Sequence, residues 1–267
     1  MTQTDHPLQA RLEVAVRAAR AAGQRTLAFF QQDNFRVERK ADDTPVTEAD
    51  REAEQFLRRQ IAAAFPEDGI LGEEFGEQPG RSEFRWILDP IDGTKSFICG
   101  VPLYATLVGV ERDGRGVIGV IDVPGLDECV YAASGLGAWY IRANGAPRPA
   151  RVSTRKTLAD GLFVTSEVES FAERGAPEAY HALAARAYIT RTWGDAYGYL
   201  LVATGRAEAM VDPILSLWDT APLQPILEEA GGTFTDWQGR PTIHGGEGIG
   251  TNRLVLDEVL AITRRYA

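Results

Sequence analysis

The sequence predicts a layered protein that combines α+β and α/β organisation, and three patterns along its 267 residues predict it. Amphipathic helical periodicity comes first, and short β-rich segments separated by Gly and Pro turns follow. After about Ala150, strand-like and helical segments alternate, which is typical of stacked sheets and helices. No internal repeat or low-complexity tract interrupts the sequence. We therefore predict two subdomains in one compact unit, 1–150 and 151–267, with a boundary near 145–155.

Two helices are predicted at the N-terminal end. The first extends from Leu8 to about Gln31 and carries a stripe of small residues suited to close packing. The second opens at 47–50 and continues to about Phe65, before Pro66. The polar segment 35–47 between them is compatible with a hairpin or with a mobile loop.

The β-rich part begins with a short apolar strand, 86–88. Further runs separated by Asp-Gly, Pro-Gly and Gly turns predict an antiparallel meander, and they cover 103–110, 116–123, 128–133 and 138–141. In the second half the predicted strands are 162–165, 188–192 and 207–211, and the predicted helices are 170–187, 196–204 and 218–230.

Composition excludes several classes of protein. The formal net charge of -10 argues against a nucleic-acid-binding surface, which needs clustered Lys and Arg. No segment approaches the roughly 18 apolar residues of a membrane span, and the polar N-terminus lacks the apolar core of a signal peptide. We expect a cytoplasmic protein with free thiols at Cys99 and Cys129. The three histidines are too scattered to propose a His-based metal site.

The segment from Asp89 to Thr94 carries the strongest chemical signal. An apolar strand leads directly into two carboxylates, Asp89 and Asp92, which can face one point at the strand end. Ile91 could turn its side chain inward and leave its carbonyl at the same point, and oxygen ligands of this kind suit Mg²⁺. The amides of Gly93 and Thr94 would offer a phosphate cradle. Taken alone, however, the same residues are also compatible with a capped turn.

Two further acidic positions support the first interpretation. Glu73 follows the apolar pair Ile70-Leu71, again at a predicted strand end. Asp219 opens an apolar helix, where an Asp usually acts as an N-terminal cap. Its weight as a functional residue comes only from its combination with the others.

The order and spacing of these acidic motifs resemble the inositol monophosphatase superfamily. The resemblance covers nearly the whole chain and includes the segments 46–50, 202–206 and 229–232. It implies a layered αβαβα fold, a site for two or three Mg²⁺ ions and a homodimer, which is common in such families. It also implies roles for individual residues: metal ligation by Glu73, Asp89, Asp92, Asp219 and the Ile91 carbonyl, water activation by Asp50 and Thr94, and phosphate binding by Gly93 and Thr94.

The implied chemistry is the hydrolysis of a phosphomonoester. Four carboxylates repel a phosphate dianion unless cations intervene, so magnesium would neutralise the phosphate and activate water. We expect direct in-line attack, because no nucleophile motif suggests a phospho-enzyme. We also expect magnesium to stabilise the fold, since the site without metal is a cluster of like charges.

Two places bear on the substrate. Lys95-Ser96-Phe97, where inositol phosphatases usually have Thr-Asn-Phe, resembles the histidinol-phosphate phosphatase branch of the superfamily. The resemblance places the alcohol part of the substrate against Asp92, Gly194, Asp195, Ala196 and Asp212. Inositol phosphatases tend to have a small Ser or Thr in place of Asp195. Carboxylates there suit a cationic leaving group, because desolvating an ammonium without a counter-charge is costly.

Several alternatives stay open from the sequence. A cap of the helix that starts at Ala196 is the alternative role for Asp195, and Trp193 is either core or a wall of the site. Inositol 1-phosphate or a range of sugar phosphates are the alternative substrates. A non-catalytic metal- or phosphate-binding protein is a remote alternative, against which the intact set of acidic residues argues.

Overall fold

The N-terminal helices form the outermost layer of the protein. A computed structural model describes residues 8–32, 37–39, 45–143 and 145–266. Helix α1 (Gln9–Thr26) is shorter than predicted, and helix α2 is Glu48–Ala64. Most of the stripe predicted on α1 is buried, namely Leu12, Ala15, Ala19, Ala22, Gly23 and Thr26. Val16, which was also predicted, is half-buried, and Ala18, which was not predicted, is buried. The two helices pack against each other and against the large sheet.

A short pair of strands connects the two helices. Strands β1 (Val37–Arg39) and β2 (Pro45–Thr47) pair antiparallel, in agreement with the hairpin alternative for the segment 35–47. The remainder of that predicted segment lies outside the described residues. The second strand leads directly into the N-terminus of α2, where Thr47 and Asp50 form a capping box.

The large sheet has eight strands within the described residues, in the order β10-β9-β8-β7-β6-β5-β3-β4. Their bounds are β3 Gly69–Gly72, β4 Gly76–Gln78, β5 Phe84–Asp92, β6 Ala105–Arg112, β7 Arg115–Val123, β8 Glu128–Ala133, β9 Gly137–Arg142 and β10 Arg148–Pro149. Strands β5 to β9 form the predicted antiparallel meander. Strand β3, however, is parallel to β5, so the C-terminal ends of these two strands meet at one edge of the sheet.

The second sheet has five strands within the described residues, in the order β12-β11-β13-β15-β14. Their bounds are β11 Leu162–Val164, β12 Ile189–Arg191, β13 Ala209–Asp212, β14 Thr233–Thr235 and β15 Gly248–Thr251. The helices that follow β5 in the chain are α3 Thr94–Ile98, α4 Glu169–Glu173, α5 Pro177–Arg186, α6 Ala196–Ala203, α7 Leu217–Thr220, α8 Leu223–Glu229 and α9 Leu256–Thr263.

Three apolar clusters stack these elements into five layers. Helices α1 and α2 cover the outer face of the large sheet. Helices α6 and α8 lie between the two sheets, and α5 and α9 cover the far face of the second sheet. The predicted αβαβα arrangement is therefore confirmed. The large sheet precedes Ala150 and the second sheet follows it, but both contact the middle helical layer, so the division into two subdomains stays a prediction.

Several elements differ from the predictions for a local reason. The predicted helix 170–187 is two helices, because Gly175 has φ +81° and Pro177 starts a new helix. The predicted helix 218–230 is interrupted before Leu223, next to Pro222. Strands β14 and β15 and helix α9 were not predicted. In β15 the glycines hide the strand signal, and a Cβ on Gly250 would lie 2.8 Å from Leu227 and from Tyr199.

The cysteines and the lengths of the helices also bear on the predictions. Cys99 is exposed and Cys129 is buried, and both are free thiols as predicted. Each helix in the described part of the chain is too short or too polar to cross a lipid bilayer.

Candidate active site

The end of β3, which pairs with β5 at Leu88, brings the first two predicted ligands side by side. Glu73 directly follows β3, and its backbone N–H donates to the carbonyl of Leu88 at 3.1 Å. On β5, Asp89 directly follows Leu88 and is buried. Parallel pairing thus places two carboxylates at one point, although 16 positions in the numbering separate Glu73 from Asp89.

The chain then turns sharply through the predicted motif. The register of β5 with β6 shifts between Asp89 and Asp92, which is how a bulge re-aims side chains. The Ile91 N–H donates to Asp89 Oδ1 at 3.0 Å, and the Thr94 hydroxyl donates to the Ile91 carbonyl at 3.1 Å. The Ile91 side chain is buried, as expected. Gly93 has φ +81°, a conformation that favours glycine, and it leads into α3.

Asp219 reaches this point from the second half of the chain. It is the third residue of α7 in a capping box, and its Oδ2 accepts a 2.7 Å hydrogen bond from the Ser216 N–H. Asp89, Asp92 and Asp219 each present a carboxylate oxygen, and these oxygens lie within 4.8 Å of one another. The capping role and the site role of Asp219 are therefore compatible.

Burial and mutual repulsion disfavour the ionised form of the carboxylates in this cluster. Burial, followed by the charges of Glu73 and Asp92, raises the pKa of Asp89 well above its ordinary value. Burial, then Asp195 and Asp219, raises the pKa of Asp92 in the same way. Burial also raises the pKa of Asp219 to about 7, against the opposing hydrogen bond from Ser216. A crowded set of buried oxygen donors is the kind of site that a hard divalent cation stabilises.

Asp50 lies close to this cluster but is not part of the cavity wall. Its Oδ2 accepts the Thr47 N–H at 2.8 Å and also the Thr47 hydroxyl. Its Oδ1 is buried and has no hydrogen-bond partner within the described part of the chain. Burial raises the pKa of Asp50 to about 6, opposed by the hydrogen bonds from Thr47 and reinforced by the charge of Glu73.

A cavity of about 380 Å³ opens over the cluster. Most of the predicted site residues line it: Glu73, Asp89, Ile91, Asp92, Gly93, Thr94, Asp195, Ala196, Asp212 and Asp219. Asp50 and Gly194 do not. The remaining lining includes the apolar side chains of Ile214, Leu215 and Trp218, so the cavity has one strongly acidic end and a partly apolar wall.

Asp195 lies directly over the turn at Gly93. A Cβ added to Gly93 would lie 2.5 Å from Asp195 Oδ2, so a larger residue there would displace this carboxylate. Asp195 occupies the N-cap position of α6, but its side chain makes no capping hydrogen bond. Instead, Asp92 Oδ2 accepts the Ala196 N–H at 2.6 Å. The helix-capping alternative for the Asp195 side chain is therefore not observed.

Gly194 and Asp212 both contact the segment that contains Ser166. A Cβ on Gly194 would lie 2.3 Å from the Cα of Ser166, so the glycine allows two backbone segments to touch. Asp212 ends β13 and accepts hydrogen bonds from the Ser166 N–H at 2.9 Å and from the Tyr199 hydroxyl at 3.0 Å. Burial raises the pKa of Asp212 to about 6. Because both its oxygens are bound by protein donors, the predicted substrate contact of Asp212 stays a prediction.

Sequence reasoning missed one feature of the cavity wall and left another open. Lys95 and Glu167 form an ion pair on the wall, with Nζ 2.9 Å from the nearer carboxylate oxygen. Nothing local in the sequence indicates a contact between residues 72 positions apart. Trp193 is 41% exposed and does not line the cavity, so neither alternative offered for it, core or wall, is observed.

Comparisons with known proteins agree with this geometry. The family described as the inositol monophosphatase family matches residues 8–266. A histidinol-phosphatase of Chlorobaculum parvum is 45% identical over 89% of this chain and 90% of its own length. A histidinol-phosphatase of Streptomyces coelicolor is 37% identical over 96% and 97% of the two chains. The crystal structure of extragenic suppressor protein suhB from Bartonella henselae has a TM-score of 0.88 at 30% identity and covers 96% of this chain and 99% of its own.

Proposed function

This chain belongs to the inositol monophosphatase family, and from that premise we propose that it is a magnesium-dependent phosphomonoesterase that hydrolyses histidinol phosphate in histidine biosynthesis. The products are histidinol and inorganic phosphate. The observation that carries the proposal is the cluster of Asp89, Asp92 and Asp219, whose oxygens lie within 4.8 Å of one another at the end of the cavity.

The donor set fits the proposed metal. Glu73, Asp89, Asp92, Asp219 and the Ile91 carbonyl would hold the ions, and all of them offer the oxygen atoms that Mg²⁺ prefers. Magnesium, when bound, neutralises the phosphate, lowers the pKa of a water molecule and stabilises the leaving alkoxide. The raised pKa values of Asp89, Asp92 and Asp219 support the fit, because buried carboxylates whose ionised form is disfavoured are stabilised by a bound cation.

The residues of the chain bind the phosphate and handle the proton. The amides of Gly93 and Thr94, on the cavity wall, would donate to the phosphate oxygens. We assign the orientation of the attacking water to the Thr94 hydroxyl and to Asp50, whose buried Oδ1 has no partner within the described residues. Asp50 has a pKa raised to about 6, so it could accept a proton from this water near neutral pH. Attack would be direct and in line with the leaving oxygen.

Asp195 supports the choice of substrate. Its carboxylate lies over Gly93 and lines the same cavity. A leaving group that carries an ammonium and an imidazole would find a counter-charge there, whereas inositol offers only hydroxyl groups. The identities to two histidinol-phosphatases point in the same direction.

The proposal is tested with a panel of phosphomonoesters assayed for phosphate release with magnesium and with a chelator. The panel contains histidinol phosphate, myo-inositol 1-phosphate, fructose 1,6-bisphosphate and a 3'-phosphonucleotide. We expect magnesium-dependent turnover, with the highest kcat/KM for histidinol phosphate. A higher value for inositol 1-phosphate would replace the proposed substrate, and the absence of any turnover would leave only a metal- or phosphate-binding role.

Magnesium binding is also tested without any substrate. Filling the acidic cluster relieves repulsion between buried carboxylates, so magnesium should raise the melting temperature of the protein. The measurement compares thermal unfolding in magnesium with unfolding in a chelator at the same ionic strength. An unchanged melting temperature in an enzyme whose activity needs magnesium would contradict this expectation.

A further inference from the structure

An ion pair of the chain itself lies on the wall of the proposed substrate site. Lys95 Nζ is 2.9 Å and 3.2 Å from the two carboxylate oxygens of Glu167. Lys95 follows Thr94 at the phosphate cradle, and Glu167 lies in the segment after β11. Both residues line the cavity. The pair therefore joins the phosphate cradle to a segment contributed by the second half of the chain.

The ion pair lies among other acidic groups. Asp195 and Glu173 also act on Lys95, although Glu167 raises its pKa most. Asp195 in turn experiences the charges of both Lys95 and Glu167. The ammonium of Lys95 is thus held where two carboxylates of the wall, Asp195 and Glu167, can both stabilise a cation.

Solvent exposure makes this pair weak. The side chains of Lys95 and Glu167 are 69% and 47% exposed. Exposed pairs contribute little, because water and salt screen their attraction. A substrate cation that enters the cavity and is partly enclosed there can therefore compete with Lys95 for Glu167.

We propose that Lys95 and Glu167 form an exchangeable ion pair that selects phosphomonoesters with a cationic leaving group. The cationic group of the substrate takes the place of the Lys95 ammonium at Glu167, and Lys95 then turns to the phosphate next to Thr94. Glu167 is a specificity-determining residue that acts with Asp195, and Lys95 is a phosphate-binding residue held by Glu167 until substrate arrives. This inference rests on the proposed function, since it names the recognition device of the same site.

The cavity offers a second feature suited to such a leaving group. Ile214 is 51% exposed and lines the same cavity as Glu167, together with Trp218. An imidazole ring has a flat body that packs on apolar side chains and polar nitrogens that donate to carboxylates. The combination of apolar wall and acidic wall therefore fits a cationic heterocycle or amine better than a polyhydroxylated ring.

The test compares two single variants on two substrates. Glu167→Gln and Lys95→Met are assayed for kcat/KM with histidinol phosphate and with glycerol 2-phosphate, which has a neutral leaving group. Glu167→Gln should lower the ratio of the two values roughly tenfold, the usual scale of a lost hydrogen bond to a charged group. Lys95→Met should reduce kcat/KM for both esters and leave the ratio the same or higher, since Glu167 is then free for the substrate.

The outcomes separate this inference from the proposed function. Equal losses for both esters in both variants would show that the ion pair is only a structural tether, and the inference would fall while the proposed function stands. A wild-type enzyme without preference for histidinol phosphate would overturn both. Glu169→Gln is the matched control, because Glu169 is an exposed carboxylate of α4 that does not line the cavity; its ratio should equal that of the wild type.

Discussion

Two parts of the cavity differ in how they are built. One is the acidic cluster of Asp89, Asp92 and Asp219, and the other, the leaving-group wall, consists of Lys95, Glu167 and Asp195. In the cluster, Asp89 is 2% and Asp92 is 8% exposed, and the carboxylates accept hydrogen bonds from backbone N–H groups. On the wall, Lys95 and Glu167 are largely exposed and hold each other. A carboxylate that accepts hydrogen bonds from backbone N–H groups keeps a fixed position, because the fold holds those groups in place. An exposed ion pair of two long side chains can rearrange.

This difference separates the part that we propose performs the reaction from the part that we propose selects the substrate. Hydrolysis needs oxygen donors at fixed positions, and strand ends and capped helix starts provide them. Selection needs groups that can exchange partners with an arriving molecule. We therefore expect mutations in the cluster to affect all substrates equally, and mutations of the wall carboxylates Glu167 and Asp195 to change the ratio between substrates. The predictions below test that separation in order of decreasing effect.

Asp92→Asn should have the largest effect. Asparagine keeps an oxygen that can accept the Ala196 N–H at the start of α6, but it removes a charge from the proposed metal ligands. We expect turnover of every phosphomonoester to fall at least roughly thousandfold, which is about 4 kcal/mol of transition-state stabilisation. The measurement is kcat/KM for histidinol phosphate and a neutral ester at high magnesium. Circular dichroism should show an intact fold, and near-normal activity would contradict the assignment of the cluster.

Asp195→Ser should affect substrates unequally. Because the Asp195 side chain makes no capping hydrogen bond, serine there should not destabilise α6. The loss of a carboxylate next to a cationic group should raise the KM for histidinol phosphate about tenfold to hundredfold. The KM for a neutral ester should change little. Equal changes with both substrates would mean that Asp195 belongs to the catalytic part rather than to the selecting wall.

The same separation explains how much of the site the sequence predicts. Glu73 and Asp89 each follow a short apolar run, so their positions are encoded in a few adjacent residues, and the resemblance of the motifs to a known family adds Asp219 and Asp50. The meander is equally predictable, since turn signals separate its strands. In contrast, the pairing of Lys95 with Glu167 depends on how the two sheets stack, and no local pattern records that. Strand β15 was missed for a similar reason, because its glycines are required by the close approach of Tyr199 and Leu227.

Glu54→Gln should weaken metal binding without removing a ligand. Glu54 is fully buried on α2, and its carboxylate accepts the N–H groups of Glu74 at 2.7 Å and Phe75 at 3.3 Å. It therefore holds the segment that presents Glu73. Outer-shell changes of this kind typically reduce metal affinity roughly tenfold to hundredfold. We expect a higher magnesium concentration for half-maximal activity and a similar kcat at saturating magnesium.

A matched variant on the same helix is the control for Glu54. Glu52→Gln removes an exposed carboxylate that pairs only with the exposed Arg25 in the described part of the chain. Its magnesium requirement should equal that of the wild type. If Glu54→Gln lowered kcat at every magnesium concentration instead, Glu54 would be a determinant of the catalytic geometry rather than of metal affinity.

Asp122 should have the smallest effect on turnover, and it shows what burial does to a carboxylate away from the cluster. It lies on β7 near Arg20, with 3.8 Å between Oδ1 and Nε, and burial raises its pKa to about 7 although Arg20 opposes the shift. Between the ordinary pKa of an aspartate, about 3.9, and about 7, the folded protein keeps a proton that the unfolded chain releases. The free energy of unfolding should therefore fall as the pH rises through this window, by at most about 1.4 kcal/mol per pH unit, and become level above it.

Urea unfolding of the wild type and of Asp122→Asn from pH 5 to pH 8, at constant magnesium, measures this contribution. The variant should lose that part of the slope, and equal slopes in both proteins would show that Asp122 titrates as in the unfolded chain.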